Sequence, residues 1–237
     1  KMQVDEALAK AKQIEADEAA QKAAEERVEY YQKRLRTKSP VKATPARVLP
    51  LERQYPMTYK ENPAVGNPRV VVWGEIPKSL EKRSKEIAKK KGSHSPIKLE
   101  SYQDQWTDKT AKKFELIGYL EDIDHEKPSD RVHTALLSDG KNVVGINSDY
   151  HDYFAGEGFT FAIGDKLIEG DGGFILLRKN DTVVGAVASM RFSDESATVP
   201  FSEADMWITG KKPATTTEKK REAIKRFKAK AKDLVDR

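Results

Sequence analysis

Two short stretches of the sequence place histidines beside carboxylates, a combination found in metal sites. The first contains Asp122, Asp124 and His125, and the second spans residues 149–152, Asp-Tyr-His-Asp. Imidazole and carboxylate groups at such spacings could ligate a divalent cation. Neither stretch has the His-Glu-x-x-His spacing or another recognised metal-binding frame. The sequence therefore predicts no metal site, no catalytic residue and no cofactor.

Aromatic residues are the second group with a possible role in binding. The tryptophans are Trp73, Trp106 and Trp207, and a separate cluster contains Tyr150, Tyr153 and Phe154. Such side chains could stack on the bases of single-stranded nucleic acid. More often, aromatic residues of this kind fill a small hydrophobic core.

The strongest functional signal is a lysine-rich segment at the C-terminus. Residues 211–237 carry eleven Lys/Arg and four Asp/Glu, a net charge of +7, against +5 for the whole chain. A capping-box pattern from Thr215 to Glu218 predicts a helix, with an apolar stripe through Phe227 and Leu234. The rest of that helix carries the residues predicted to bind nucleic acid: Lys219, Lys220, Arg221, Lys225, Arg226, Lys228, Lys230 and Lys232.

A second basic segment strengthens this signal. Between Lys78 and Lys98 the chain has eight Lys/Arg against two Glu. Two local basic segments on a nearly neutral body indicate a polyanionic partner, either nucleic acid, with DNA favoured, or an acidic protein surface. The alternative is that the lysines of both segments only face water.

The composition limits the size of the core. Hydrophobic residues make up 38% of the chain and charged residues 34%, with a mean hydropathy of −0.72. There is no cysteine, which excludes disulfides and thiolate metal ligands. No apolar run approaches the roughly 18 residues of a membrane span, and no signal peptide is evident. We therefore expect no membrane association. The expected location is the cytoplasm of a host cell or, for a phage-encoded chain, the virion.

Periodicity and proline content divide the chain into segments. Apolar residues recur at three- and four-residue steps over residues 2–36, which predicts one long, exposed helix. Prolines then recur about every five residues, which favours extended backbone and excludes helix. The predicted organisation is an exposed helix at 1–36, a proline-rich linker at 37–68, an α+β domain at 69–210 with a β-rich core at 131–192, and a basic helix at 211–237.

The β-rich core contains two predicted hairpins. Asp139-Gly140 is a turn signal between strands at 132–137 and 143–146, and Lys179-Asn180-Asp181 joins strands at 174–177 and 182–188. We expect further strands at 69–74 and at 159–163 and a helix from Ser79 to Lys91, and at 114–123 we favour a strand over a helix. The predicted fold class is α+β, with a small antiparallel β core at about residues 110–210, a long N-terminal helix and an amphipathic basic C-terminal helix.

Residues 131–192 resemble a module of large phage and mobile-element polyvalent proteins, which join helicase and DNA-methylase regions. The resemblance lies in a segment like Asn147–Phe154 followed by a hairpin whose ending is matched by Val183, Val184, Gly185, Met190 and Arg191. It implies a role in phage or mobile-element DNA metabolism, as a binding or architectural part. It implies no catalytic residue.

Three functional hypotheses remain open from the sequence. The first is a non-catalytic accessory module that associates with DNA or a DNA-processing machine. The second is a virion or assembly protein that self-associates into a homo-oligomer through residues 2–36. The third is a metal-dependent nucleic-acid enzyme with a site around His133 or His151.

Overall fold

In the computed structural model, the described part of the chain comprises residues 2–49, 57–59, 62–67, 69–91, 97–98, 112–127, 130–163, 173–191 and 198–210. The chain divides into two compact units. One contains residues 34–204, and the other contains residues 1–33 together with 205–237. Among the described residues, no helix combines the length and the hydropathy that crossing a bilayer requires.

Strands are the more numerous elements. The helices within the described residues are α1 (Met2–Arg34), α2 (Pro45–Val48), α3 (Lys78–Lys91), α4 (Ser148–Gly156) and α5 (Phe201–Thr209). The strands are β1 (Leu35–Arg36), β2 (Met57–Tyr59), β3 (Asn62–Asn67), β4 (Val70–Val72), β5 (Ile97–Lys98), β6 (Lys112–Leu120), β7 (Thr134–Ser138), β8 (Asn142–Asn147), β9 (Thr160–Ile163), β10 (Phe174–Lys179), β11 (Thr182–Met190) and β12 (Thr198–Pro200).

Six strands close into an antiparallel barrel. Their order is β8-β7-β6-β9-β10-β11, and β11 returns to β8 through the pairs Ser189↔Ile146 and Met190↔Gly145. Strand β12 is added beside β8, and β4, β3, β2 and β5 extend the sheet from β11. The prediction of an α+β fold with a small β core at about residues 110–210 is therefore wrong, because the chain is mainly β and has a closed barrel.

The strand pairings that the sequence analysis did not predict join segments that are distant along the chain. Strand β6 pairs with β9, and β4 pairs with β11 through Val72↔Gly185 and Val70↔Val187. Alternation within a strand predicts which side chains face the core, but it carries no signal for the partner strand. The strand positions could thus be predicted while the closed sheet could not.

Both predicted hairpins are confirmed, and local turn chemistry explains them. Gly140 has a φ of +84°, and the Asp139 carboxylate accepts hydrogen bonds from the amides of Lys141 and Asn142 at 2.9 and 2.8 Å. Asn180 and Asp181 have φ values of +48° and +62°. Two consecutive left-handed residues form the turn type whose twist matches the paired strands.

The proline-rich stretch 37–68 is not a simple linker in its described parts. Pro45 opens α2 at a position where the missing amide would have no helical partner, and the Thr44 hydroxyl caps the helix by accepting from the Arg47 amide. Val48 and Leu49 are 0% and 1% exposed and belong to the main core. The expectation that its prolines exclude helix was therefore wrong at α2, and β2 and β3 add sheet from the same stretch.

The predicted N-terminal helix is confirmed over Met2–Arg34 as α1, whereas Leu35–Arg36 form β1 and the helix is not exposed throughout. Val28 and Tyr31 lie on one face of its C-terminal third and are 4% and 7% exposed. The Tyr31 ring stacks on Trp207 with a centroid separation of 4.0 Å. The unit that contains α1 is therefore held partly by an aromatic contact between residues at opposite ends of the sequence.

Candidate nucleic-acid interface

Two buried side chains fix the orientation of α3. Leu80 and Ile87 are 1% and 3% exposed and belong to the main core. They are seven residues apart, about two helical turns, so they lie on the same face of the helix. The opposite face must point away from the core, and its lysines are therefore held towards solvent.

Hydrogen bonds from two neighbouring elements add to this anchorage. The Ser79 hydroxyl and the Tyr153 hydroxyl of α4 are joined by a hydrogen bond. Arg83 donates from Nε to the Leu49 carbonyl at 3.3 Å, and its Nη1 lies 3.7 Å from a Glu86 carboxylate oxygen. Arg83 is therefore part of the docking contact, and we do not count it among the cations open to a ligand.

The outer face of α3 carries a stripe of exposed lysines. Lys78, Lys82, Lys85 and Lys89 recur at steps of three and four residues and span about 16 Å along the helix. Lys85 is paired with Glu81 at 2.6 Å. Within the described part of the chain, no carboxylate forms an ion pair with the other three lysines. We refer to Lys78, Lys82 and Lys89 as the lysine stripe.

Glu81 lies close enough to Lys85 to cancel the charge of that cation. The hydrogen bond from Lys85 and the charge of Lys85 lower the pKa of Glu81 below its usual value. Glu81 is therefore ionised at neutral pH, and the pair it forms with Lys85 presents little net charge. Among the described side chains of α3, the lysine stripe remains as the group that could meet phosphate oxygens.

The eight predicted nucleic-acid-binding residues of the C-terminal segment lie outside the described residues. They are Lys219, Lys220, Arg221, Lys225, Arg226, Lys228, Lys230 and Lys232. Their role stays a prediction. The basic segment at α3 is the part of the sequence-based interface that the structure describes.

The first histidine–carboxylate group is occupied by bonds within its own loop. The Asp122 carboxylate accepts from the amides of Asp124 and Val132 at 3.1 and 2.9 Å and lies 2.8 Å from Nδ1 of His125. Burial alone would raise the pKa of Asp122, but these hydrogen bonds and the neighbouring His125 outweigh it and lower the pKa. This carboxylate holds the segment between β6 and β7 in place.

His133 follows the same pattern. Its Nδ1 accepts a hydrogen bond from the Asp122 amide at 3.0 Å, and the side chain is buried. Burial lowers the pKa of His133, because the charged imidazolium would lose its hydration, and Arg47 adds to this effect while Glu121, Asp122 and Asp149 oppose it. Nδ1 of the neutral His133 ring already accepts a hydrogen bond from the backbone, so this nitrogen has a structural role.

The second group centres on Asp152 in α4. Its Oδ1 lies 2.8 Å from Nδ1 of His151 and accepts from the Tyr119 hydroxyl at 2.6 Å, and Ser39 also hydrogen-bonds to it. The His151 ring stacks on Phe161 at 5.0 Å. We call Ser39, Tyr119, His151 and Asp152 the Asp152 clamp, because its members join three separate segments of the chain.

Neighbouring Asp149 binds a distant arginine. Its Oδ1 lies 2.6 Å from Nε of Arg47, and Asp149 is buried. The two residues are 102 positions apart, so no local pattern could predict the pair. Among the described residues, no group of three or more His, Asp or Glu side chains is arranged to hold a metal ion.

Most of the aromatic candidates lie in the core. Tyr150, Tyr153 and Phe154 are buried within the main hydrophobic cluster, and Trp207 is 1% exposed. Trp73 is half-buried, and Trp106 lies outside the described residues. Buried rings offer no face to a nucleotide base, so the core interpretation holds for these four side chains.

Comparisons with known proteins do not place the chain in a family. No protein-family model, curated protein or solved structure matches it.

Proposed function

We propose that this chain is a non-catalytic accessory module that associates with DNA, or with a DNA-processing machine, through its basic segments. The observation that carries the proposal is the docking of α3 by Leu80 and Ile87, which turns the lysine stripe outward. Lysines held on a fixed helix face can neutralise several phosphates at once and release their counterions. Residues 211–237, with a net charge of +7, would add to the same interaction.

The resemblance of residues 131–192 supplies the proposed context. It supports a role in phage or mobile-element DNA metabolism, with the protein in the host-cell cytoplasm or the virion. The bonds made by His133 and by the Asp152 clamp favour structural roles for both. We therefore rank a non-catalytic role above a metal-dependent enzyme.

Fluorescence anisotropy with labelled duplex and single-stranded DNA, over a salt series, tests this function. In the first variant, Lys78, Lys82 and Lys89 are replaced by Gln. A matched control replaces Lys38, Lys127 and Lys141, which are also exposed and carry the same total charge. A third form ends at Gly210.

If all three lysines contact phosphates of duplex DNA, their replacement makes the dependence of log K on log salt less steep by about 2.7, at about 0.9 for each lost contact. We expect this change in the α3 variant and no comparable change in the control. Truncation at Gly210 should weaken binding further. Absence of binding at low salt by the full chain, or equal effects of the two triple variants, would reject the proposed interface.

A further inference from the structure

One face of α1 is shielded from solvent over more than two turns. Gln21, Ala24 and Glu25 are half-buried, and Val28 and Tyr31 are buried, whereas the residues between them are exposed. These five positions recur at three- and four-residue steps, so they share one side of the helix. We call Gln21, Ala24, Glu25 and Val28 the shielded face.

Helix α5 accounts for only the end of this face. Trp207 stacks on Tyr31, and the part of α5 that belongs to this unit, Asp205–Thr209, is about 7 Å long. Gln21 lies ten residues before Tyr31, about 15 Å along the helix axis. The N-terminal part of the shielded face therefore needs a second covering segment.

The chain leaves α5 at a position from which it can supply that segment. Gly210 has a φ of +70° and its amide donates to the Met206 carbonyl at 2.9 Å, which ends the helix. A side chain at position 210 would collide with the amide group of Gln32. Gly210, after which 27 residues of the chain follow, thus lies beside Gln32, next to the C-terminal end of the shielded face.

We propose that residues 211–237 pack as a second helix, antiparallel to α1, on the shielded face. The capping box predicts that this helix begins at about residue 216, after a connection of five residues, a usual length between packed helices. From residue 216, Ile224 and Phe227 lie eight and eleven residues further on. Ala24 and Gln21 lie the same numbers of residues before Gln32, so an antiparallel arrangement brings these pairs to the same level.

Charge complementarity favours this occupant. Residues 15–29 of α1 contain six acidic and two basic side chains, a net charge of −4, while residues 211–237 carry +7. An apolar stripe through Ile224 and Phe227 would lie at the level of Ala24 and Gln21, and the flanking lysines would lie beside the carboxylates. Oppositely charged helix faces of this kind are attractive at short range and weaken with salt.

The arrangement has a consequence that rests on the proposed function. The C-terminal lysines that would bind DNA phosphates are the same ones that would lie beside the acidic residues of α1. DNA and α1 would then compete for one basic segment. Docking on the shielded face would lower the DNA affinity of the full chain, and variants that weaken docking would raise it.

Two adjacent glutamates give a matched test in the full chain. Glu25 belongs to the shielded face, whereas Glu26 is exposed, and Glu25→Lys and Glu26→Lys change the net charge equally. Hydrogen–deuterium exchange of residues 211–237 reports docking without any DNA. Anisotropy with labelled duplex DNA is measured on the same samples.

We expect exchange in residues 211–237 to become roughly tenfold faster in Glu25→Lys and to stay nearly unchanged in Glu26→Lys. Ala24→Arg, compared with exposed Ala23→Arg, should repeat this contrast. Equal exchange in both members of each pair overturns the docking proposal, and protection that grows with protein concentration overturns it in favour of a second copy as the occupant. A clear exchange contrast without DNA binding by any form leaves docking standing and rejects the proposed function.

Discussion

At the scale of single residues, the Asp152 clamp shows how a polar group can stabilise a mainly apolar core. One carboxylate accepts hydrogen bonds from Ser39, Tyr119 and His151, which lie in different parts of the chain. Burial alone would raise the pKa of Asp152, but the three hydrogen bonds outweigh this effect and lower the pKa. The ionised form is therefore the one that the folded chain prefers.

This preference gives a pH dependence with a definite sign. Because the pKa of Asp152 is lower in the folded chain than the unfolded value of about 3.9, its stabilisation is fully present above that value. It is lost as the pH falls through the folded-state pKa. We expect Asp152→Asn to lower the free energy of unfolding by about 1–3 kcal/mol at pH 7 and by less below pH ~4.

Urea denaturation of both proteins between pH 7 and pH 3 checks this expectation. Asp181, whose side chain is 98% exposed, provides the control Asp181→Asn, which should have little effect at either pH. A cost of Asp152→Asn that is the same at pH 7 and pH 3 would show that the charge of the carboxylate does not contribute.

At the scale of elements, α3 illustrates how a highly charged helix is kept in place by few apolar residues. Among its described side chains, Leu80 and Ile87 are the ones buried in the core, and the Ser79–Tyr153 hydrogen bond joins it to α4. Six of its fourteen residues are lysines. Its attachment to the core therefore depends on a small number of side chains.

Removing one of these side chains should be costly. We expect Leu80→Ala to lower the free energy of unfolding by about 2–5 kcal/mol, because it removes buried methyl groups and leaves a cavity. Glu81→Ala, at the adjacent exposed position, should change the free energy of unfolding little, because exposed ion pairs contribute little to stability. Chemical denaturation measures both, and similar costs for the two variants would show that α3 is not docked through Leu80.

At the scale of the whole molecule, the barrel closes through a short ladder. Strands β8 and β11 share two residue pairs, Ser189↔Ile146 and Met190↔Gly145, whereas β7 and β8 share five. Fewer hydrogen bonds hold this junction, so it should open before the rest of the barrel. We refer to it as the β8–β11 junction.

Native-state hydrogen exchange tests this difference. We expect amides that bond across the β8–β11 junction to exchange faster than those between β7 and β8, by a local opening that leaves the remaining strands paired. Equal protection of both ladders, at the level of global unfolding, would show that the barrel opens only as a unit.

The difference between local turns and long-range strand pairing explains which parts of the fold could be predicted from the sequence. The Asp139-Gly140 and Asn180-Asp181 turns are local signals, and they predicted two hairpins that the structure contains. The β6–β9 and β4–β11 pairings join strands that local patterns do not connect. Similarly, the second basic segment could be identified from charge alone, but the outward orientation of its lysines depends on the burial of Leu80 and Ile87.

Strand β11 has a consequence for how this sequence can change during evolution. It pairs with β4 through residues 185–187 and with β8 through residues 189–190. Inserting or deleting one residue at Ala188 would reverse the facing of every side chain on one side of the change. Substitutions in β11 can be tolerated one at a time, whereas a change in its length would put the pairs that close the barrel with β8 out of register with the pairs to β10 and β4.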